Sequence, residues 1–290
     1  MVTGPRGSLD SARMTEPSTS RGIDPRASIV FDDAAEYYDE TKALPPDALM
    51  STVDLLSGEL GGSARVLDVG VGTGVLALPL VERGLRVVGV DLSEPMLRRA
   101  TEKAHPGTRL GLAVADATHL PFRDGAFDGA FMRHVLHLVP RWRQVLAENA
   151  RVIRPGGRLL VSITDYTGLY REIQGRFLRE AGGLPLAVGL RPDDPASLRH
   201  AMAQLGARVR PLPLVSGGRT LTVDRFLTGI EEGEFSWTWP ASATRRRQVA
   251  QKLRAWLAGR FGNLGRPVEP RFAVEWWAFD LPDGRVRRRP

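Results

Sequence analysis

Residues 66–74 read Val-Leu-Asp-Val-Gly-Val-Gly-Thr-Gly, which sets Gly70, Gly72 and Gly74 at alternate positions, the first of them two residues after Asp68. Without a Cβ at these places the backbone can turn tightly and come close to a ligand. A dinucleotide-binding loop calls for a third small residue at position 75, where Val75 stands, and a phosphate-cradling loop calls for a Gly-Lys-Ser/Thr continuation that is absent. Asp68 agrees with both exclusions, because a carboxylate repels a pyrophosphate and suits a cationic or hydroxyl-rich ligand. Two more acids follow at comparable places. Asp91 ends Val88-Gly89-Val90-Asp91, 21 residues beyond Gly70, where an acid can accept from both hydroxyls of a ribose, and Asp116 stands in Val114-Ala115-Asp116-Ala117. Any one of these acids could be a turn or cap residue; the three together with the loop make a coherent binding site.

The elements that must position them are legible as short β-rich runs at 65–69, 86–90, 109–114, 127–132 and 158–163, separated by helical stretches at 74–82, 95–104 and 141–152. Ser93 is placed to cap the second helix, with Pro95 in its first turn. Strands alternating with helices at this spacing predict right-handed crossovers and a doubly wound α/β domain with a mostly parallel sheet. Beyond residue 165 the rhythm changes, with a helix at 196–205 and strands at 207–214 and 272–279. Residues 222–262 between those strands read as a helical insertion, and an insertion of that size is expected to be functional, as a lid. The expected organisation is a disordered tail over 1–26, a helical N-terminal segment over 27–63, and a catalytic domain over 64–290. Met14 is a candidate start.

At these residues the chain resembles the class I S-adenosylmethionine-dependent methyltransferases, strongly over residues 31–165 and loosely over 196–279. The matching pieces are the glycine loop from Asp68 to Gly74, Val90-Asp91-Leu92-Ser93, Ala115-Asp116-Ala117 with Leu120-Pro121-Phe122, Phe127-Asp128, and Glu148 through Arg151 to Pro155-Gly156-Gly157. Tyr37-Tyr38-Asp39 is similar to the leading segment of the small-molecule branch that includes quinone-biosynthesis enzymes. The resemblance implies a Rossmann-like fold whose last strand is antiparallel, S-adenosylmethionine as cofactor, and O- or C-methylation of a small molecule, with secondary metabolism as one setting. It further implies that the loop lies against the methionyl part, that Asp91 holds the ribose, that Leu92 packs on adenine, and that Asp116 with Ala117 meets the adenine amino group.

Methyl transfer from a sulfonium is an in-line displacement, so the protein has mainly to hold an acceptor about 3 to 3.5 Å from the methyl carbon and exclude water. Ligands of such sheets sit beyond the strands' carboxyl ends, which selects Arg133-His134-Val135-Leu136-His137 after the fourth strand. His134 is the first candidate for a base or orienting group, and His137 the second, with a structural role the stronger reading for it. Arg133 is expected to offer the cofactor its backbone. Asp165 as a catalytic candidate and Tyr166 as a substrate contact follow the fifth strand. Tyr38 and Tyr37 are placed to close over cofactor and substrate, where an aromatic face favours a sulfonium. Trp237 and Trp239 of the insertion would wall an apolar acceptor. Two histidines at i and i+3 without a third ligand predict no metal.

Composition narrows the rest. There is no cysteine, which removes disulfides, thiolate metal sites and cysteine nucleophiles. The formal charge is +7, but Arg285, Arg287, Arg288 and Arg289 carry four of these and the first 26 residues a net one, leaving about +2 on the body. That is too little for a nucleic-acid-binding field. Arg245-Arg246-Arg247 is expected to be a solvated helix face. No apolar run approaches the roughly 20 residues of a membrane helix, and no signal-peptide core is visible, so the expectation is a cytoplasmic enzyme with a small-molecule substrate. Two alternatives stay open: a non-methylating reaction on the same cofactor site, and methylation of RNA or protein.

Overall fold

Five apolar runs form the parallel strands β1 (Arg65–Val69), β2 (Arg86–Asp91), β3 (Leu110–Val114), β4 (Phe127–Arg133) and β5 (Ile153–Ser162). Strands covered on both faces have no reason to alternate, and β1 and β4 are accordingly buried almost throughout. The computed structural model describes residues 28–284 except 33–34, 37, 40–43, 63, 164–167, 183–188, 192–193, 219–221, 240 and 266–270. Two later strands, β6 (Arg208–Pro211) and β9 (Trp277–Asp280), complete a seven-stranded sheet in the order β3-β2-β1-β4-β5-β9-β6, with β9 antiparallel to both neighbours.

Helices cover both faces. Helices α1 (Pro46–Leu60), α2 (Ala77–Glu82) and α3 (Glu94–Lys103) lie on one face, where Val53, Leu56, Leu80 and Leu97 share a core with Val66, Val87 and Phe131. Helices α4 (Trp142–Val152) and α6 (Pro195–Gln204) lie on the other, with Val145, Leu146, Leu198 and Met202 against Leu67, Met132 and Val161. The Ser93 cap is formed, its Oγ accepting from Met96 N–H at 3.3 Å. Helix α2 begins three residues later than its apolar pattern suggests, because Gly74 takes φ +78°, which is left-handed.

The two late strands are broken where the sequence suggests continuous ones. Pairing runs from Arg208↔Asp280 to Pro211↔Trp277, continues through Leu212 N–H to the Trp276 carbonyl at 2.9 Å, then resumes as Val215↔Val274 with one extra residue on the first strand. Pro213 sits in that step, and a residue without an N–H is tolerated at a bulge. The outer ladder, β7 (Val215–Gly218) with β8 (Arg271–Val274), therefore leaves the main sheet as a two-stranded ribbon.

On that ribbon stand α7 (Val223–Glu232) and α8 (Ala243–Phe261), and α5 (Gly168–Glu180) joins them. Their core is separate from the sheet's and consists chiefly of Tyr170, Ile173, Phe177, Phe226, Leu227, Ile230, Leu253 and Leu257. The basic run on α8 is only partly a solvated face. Arg245 donates to the Glu180 carbonyl at 2.5 Å and Arg246 to the Ala241 carbonyl at 2.9 Å, tying α8 to the end of α5 and to the residues that precede it. None of the described helices is long and apolar enough to cross a membrane.

Candidate active site

The carboxyl ends of β1, β2 and β3 bring the predicted acids to one rim. All three glycines of the loop after β1 are left-handed, with φ of +75°, +54° and +78° at Gly70, Gly72 and Gly74. Their surroundings differ. A Cβ on Gly70 would fall 2.4 Å from Val135 Cγ2, and one on Gly74 would meet Ala100 and Leu78 at 3.3 to 3.4 Å, so the protein itself fills those sides. Among the described residues within 4 Å, a Cβ on Gly72 would find only the Tyr38 ring, at 4.0 Å.

Asp91 binds this loop directly. Its Oδ2 accepts from Gly72 N–H and its Oδ1 from Ser93 N–H, both at 2.9 Å, which leaves further lone pairs for hydroxyl donors. Burial pushes its carboxyl above the ordinary range, against the downward pull of the Ser93, Gly72 and Leu92 amides. Leu92 beside it is 37% exposed, an apolar side chain held at the rim.

Asp68 is only 4% exposed, and no described residue donates to its carboxylate. Burial first, then the charge of Asp91, raise its carboxyl well above the usual range. A folded value above the unfolded one, about 3.9, means that the ligand-free chain is most stable below that pH and loses stability as pH rises towards the folded value. Asp68→Asn is therefore expected to raise the melting temperature of the ligand-free protein at pH 8 by a few degrees, on the order of 1–2 kcal/mol, and by less at pH 5. An equal gain at both pH values in thermal denaturation would contradict this assignment.

Asp116 accepts from Thr118 N–H at 2.8 Å through Oδ1, which holds the turn after β3, and Ala117 packs partly buried beside it. A clasp from α4 fixes the following loop. The Arg151 guanidinium donates to the Leu120 and Phe122 carbonyls at 3.0 and 2.7 Å, and Glu148 accepts from Leu120 N–H at 2.9 Å. Hydrogen bonding to Arg151 holds the Glu148 carboxyl below its ordinary value.

At the end of β4, His134 takes φ +58°, the single left-handed non-glycine among the described residues. Such a conformation costs about 1–3 kcal/mol and persists where surroundings enforce it. Here its N–H donates to the Ser162 carbonyl at 3.1 Å, which fastens it to the end of β5. The His137 ring stands perpendicular to that of His134, centroids 5.9 Å apart, and Arg133 is half-buried next to them. No group of three or more potential metal ligands converges among the described residues.

The aromatic candidates divide. Trp239 reaches the N-terminal segment, its ring 5.2 Å from that of Phe31, which in turn meets Tyr38 edge-on at 6.0 Å; Ala35 and Met96 complete this cluster. Trp237 stacks on Phe235 at 5.4 Å inside the helical layer, away from that cluster. Tyr37, Asp165 and Tyr166 lie outside the described residues. Sequence reasoning missed Phe31 and Met96, whose only signal was apolar character near a motif, and assigned no role to Val135 or Asp39 although both stand in the segments it singled out. A groove of about 780 Å³ behind the loop, lined by Gly74, Val75, Leu78 and Lys103 among others, carries none of the three acids.

Comparison with known proteins agrees with this geometry. Residues 67–161 match a family profile described as a methyltransferase domain. The chain is 34% identical to the 27-O-demethylrifamycin SV methyltransferase of Amycolatopsis mediterranei, over 57% of its own length and 64% of that protein's. It is 33% identical to the demethylmenaquinone methyltransferase of Mycolicibacterium gilvum, over 57% of its own length and 72% of that protein's. Among the first curated relatives it spans between 46% and 64% of their lengths. The YcgJ protein of Bacillus subtilis shares the fold at a TM-score of 0.56 and 20% identity, over 81% of this chain and 98% of that one. With its glycine loop, rim of acids and reversed strand in place, the chain belongs to the class I S-adenosylmethionine-dependent methyltransferases.

Proposed function

We propose that this chain methylates a small-molecule acceptor, at oxygen or carbon, with the helical layer of 222–262 serving as the lid of the acceptor site. The residues present fit the cofactor. Gly72 is the loop position where a side chain would intrude on open space rather than on protein, and Asp91 keeps unused acceptor capacity beside it. That pairing carries the reading. Exposed Leu92 offers an apolar face at the rim, and Tyr38 covers the loop from the other side. When bound, S-adenosylmethionine supplies an electrophilic methyl on a positively charged sulfur. A cation here would favour the ionised form of buried Asp68, to which no described residue donates and which burial otherwise holds toward its protonated form.

For the acceptor, His134 is the proposed base or orienting group, held at the rim by its strained backbone. His137, Asp165, Tyr37, Tyr166 and Trp237 remain secondary proposals, and Trp239 joins the lid to the cofactor side. Two relatives, named for 27-O-demethylrifamycin SV and for demethylmenaquinone, support a cyclic, partly apolar acceptor. Incubation of the full chain with methyl-labelled cofactor and a panel of phenols, quinones and polyketides is expected to label one class. His134→Ala should then lower kcat by about 10²-fold or more with cofactor affinity unchanged. Label found only on RNA or protein would overturn the proposal, and full turnover in His134→Ala would remove the base.

A further inference from the structure

Asp39, within the N-terminal segment, ties three parts of the site together. Its Oδ1 accepts from Thr73 Oγ at 2.5 Å and its Oδ2 from Lys103 Nζ at 2.6 Å. Thr73 lies between Gly72 and Gly74 in the loop and is 1% exposed, so its hydroxyl is committed inward. Lys103 is the last residue of α3, the helix whose capping turn bonds Asp91. One carboxylate thus joins the N-terminal segment, the glycine loop and the far end of α3. The neighbouring residue, Tyr38, is the one described group that a Cβ on Gly72 would meet within 4 Å.

We propose that Asp39 is a positioning residue that sets the distance between Tyr38 and the glycine loop, and so the retention of the cofactor in the slot between them. A tie serving the fold alone has no reason to fall on this side. Gly70 and Gly74 are closed by core side chains whatever the N-terminal segment does, whereas the slot at Gly72 has Tyr38 as its outer wall. That wall is backed in turn by Phe31 and Trp239, so a looser Tyr38 would also loosen the contact with the helical layer. A carboxylate accepting from a buried hydroxyl and from an ammonium makes charge-assisted bonds, stronger than neutral ones and sensitive to loss of the charge. The inference rests on the reading that the slot takes S-adenosylmethionine.

The test uses the full chain, with S-adenosylhomocysteine as probe and amide hydrogen exchange without ligand as a second readout. Asp39→Asn and Thr73→Val are each expected to weaken the probe about tenfold, mostly through faster dissociation, and the double variant to lose no more than either alone. In the ligand-free protein both should speed exchange at residues 28–39 while β1, β4 and β5 keep wild-type protection. Thr73→Ser, which restores the hydroxyl, should return affinity to within about twofold. Lys103→Met, which leaves the Thr73 bond intact and removes a half-exposed pair, should change affinity by about threefold at most, and Thr73→Val stands in if Asp39→Asn fails to fold. Wild-type affinity and exchange in Asp39→Asn would overturn the proposal. So would a general loss of protection that Thr73→Ser fails to rescue. If the wild type does not bind the probe at all, the cofactor reading falls, while the ligand-free exchange comparison still decides whether Asp39 fastens the segment.

Discussion

Asp91→Ala is expected to weaken S-adenosylmethionine binding by at least about a hundredfold. Hydrogen bonds to an ionised acceptor are worth roughly 1.5–3 kcal/mol each, and two hydroxyl donors of a ribose would lose theirs together. At 1.4 kcal/mol per factor of ten, even the lower figures give about that loss. The substitution also strands Gly72 N–H and Ser93 N–H, which now share the carboxylate, so the loop relaxes and the remaining contacts worsen. Asp91→Asn keeps one acceptor oxygen and should fall between the two. Because burial raises the Asp91 carboxyl, affinity should also decline as pH drops through that raised value, where the group takes up a proton. Isothermal titration across pH measures all three, and an unchanged dissociation constant in Asp91→Ala would remove the ribose assignment.

Gly72→Val and Gly157→Ala should separate binding from folding. At Gly72 a new Cβ meets, among the described residues within 4 Å, only Tyr38, so the fold should lose about 1–2 kcal/mol for the left-handed backbone. Cofactor binding should instead drop by a hundredfold or more, since the branched side chain occupies the slot. A Cβ on Gly157, in contrast, falls 2.4 Å from Ile153 Cγ2, 2.5 Å from the Asp128 carbonyl and 2.8 Å from the Arg154 carbonyl. Backbone oxygens cannot step aside, so this single methyl should cost about 3 kcal/mol or more and show as a lower denaturation midpoint. Gly72→Val protein that melts normally yet binds cofactor as tightly as wild type would mean the slot is not the site.

How much of this was legible in the sequence depended on range. Runs such as Val66-Leu67 and Phe131-Met132 announced the central strands because a strand buried on both faces needs no alternation. Ser93, Asp91 and the glycines act within a few residues of themselves, and their places followed from spacing. Helix α5 escaped notice although Tyr170, Ile173 and Phe177 keep helical spacing, because three apolar positions among charged ones are a weak signal, and their partners lie some fifty to eighty residues on, in α7 and α8. The Asp39 tie spans separations of 34 and 64 residues, which no local pattern encodes. Trp237 and Trp239, two residues apart in one motif, went to different clusters, since only folding decides which of them turns inward.

Mounting α7 and α8 on the tip of the β7–β8 ribbon has an evolutionary consequence. The chain departs and returns through adjacent strands, about 5 Å apart, so a longer, shorter or wholly different pair of helices can be spliced in without altering a single pairing of the main sheet. Under the proposed lid role, descendants of such a scaffold would change their clientele by exchanging this cassette while inheriting the nucleoside grip intact.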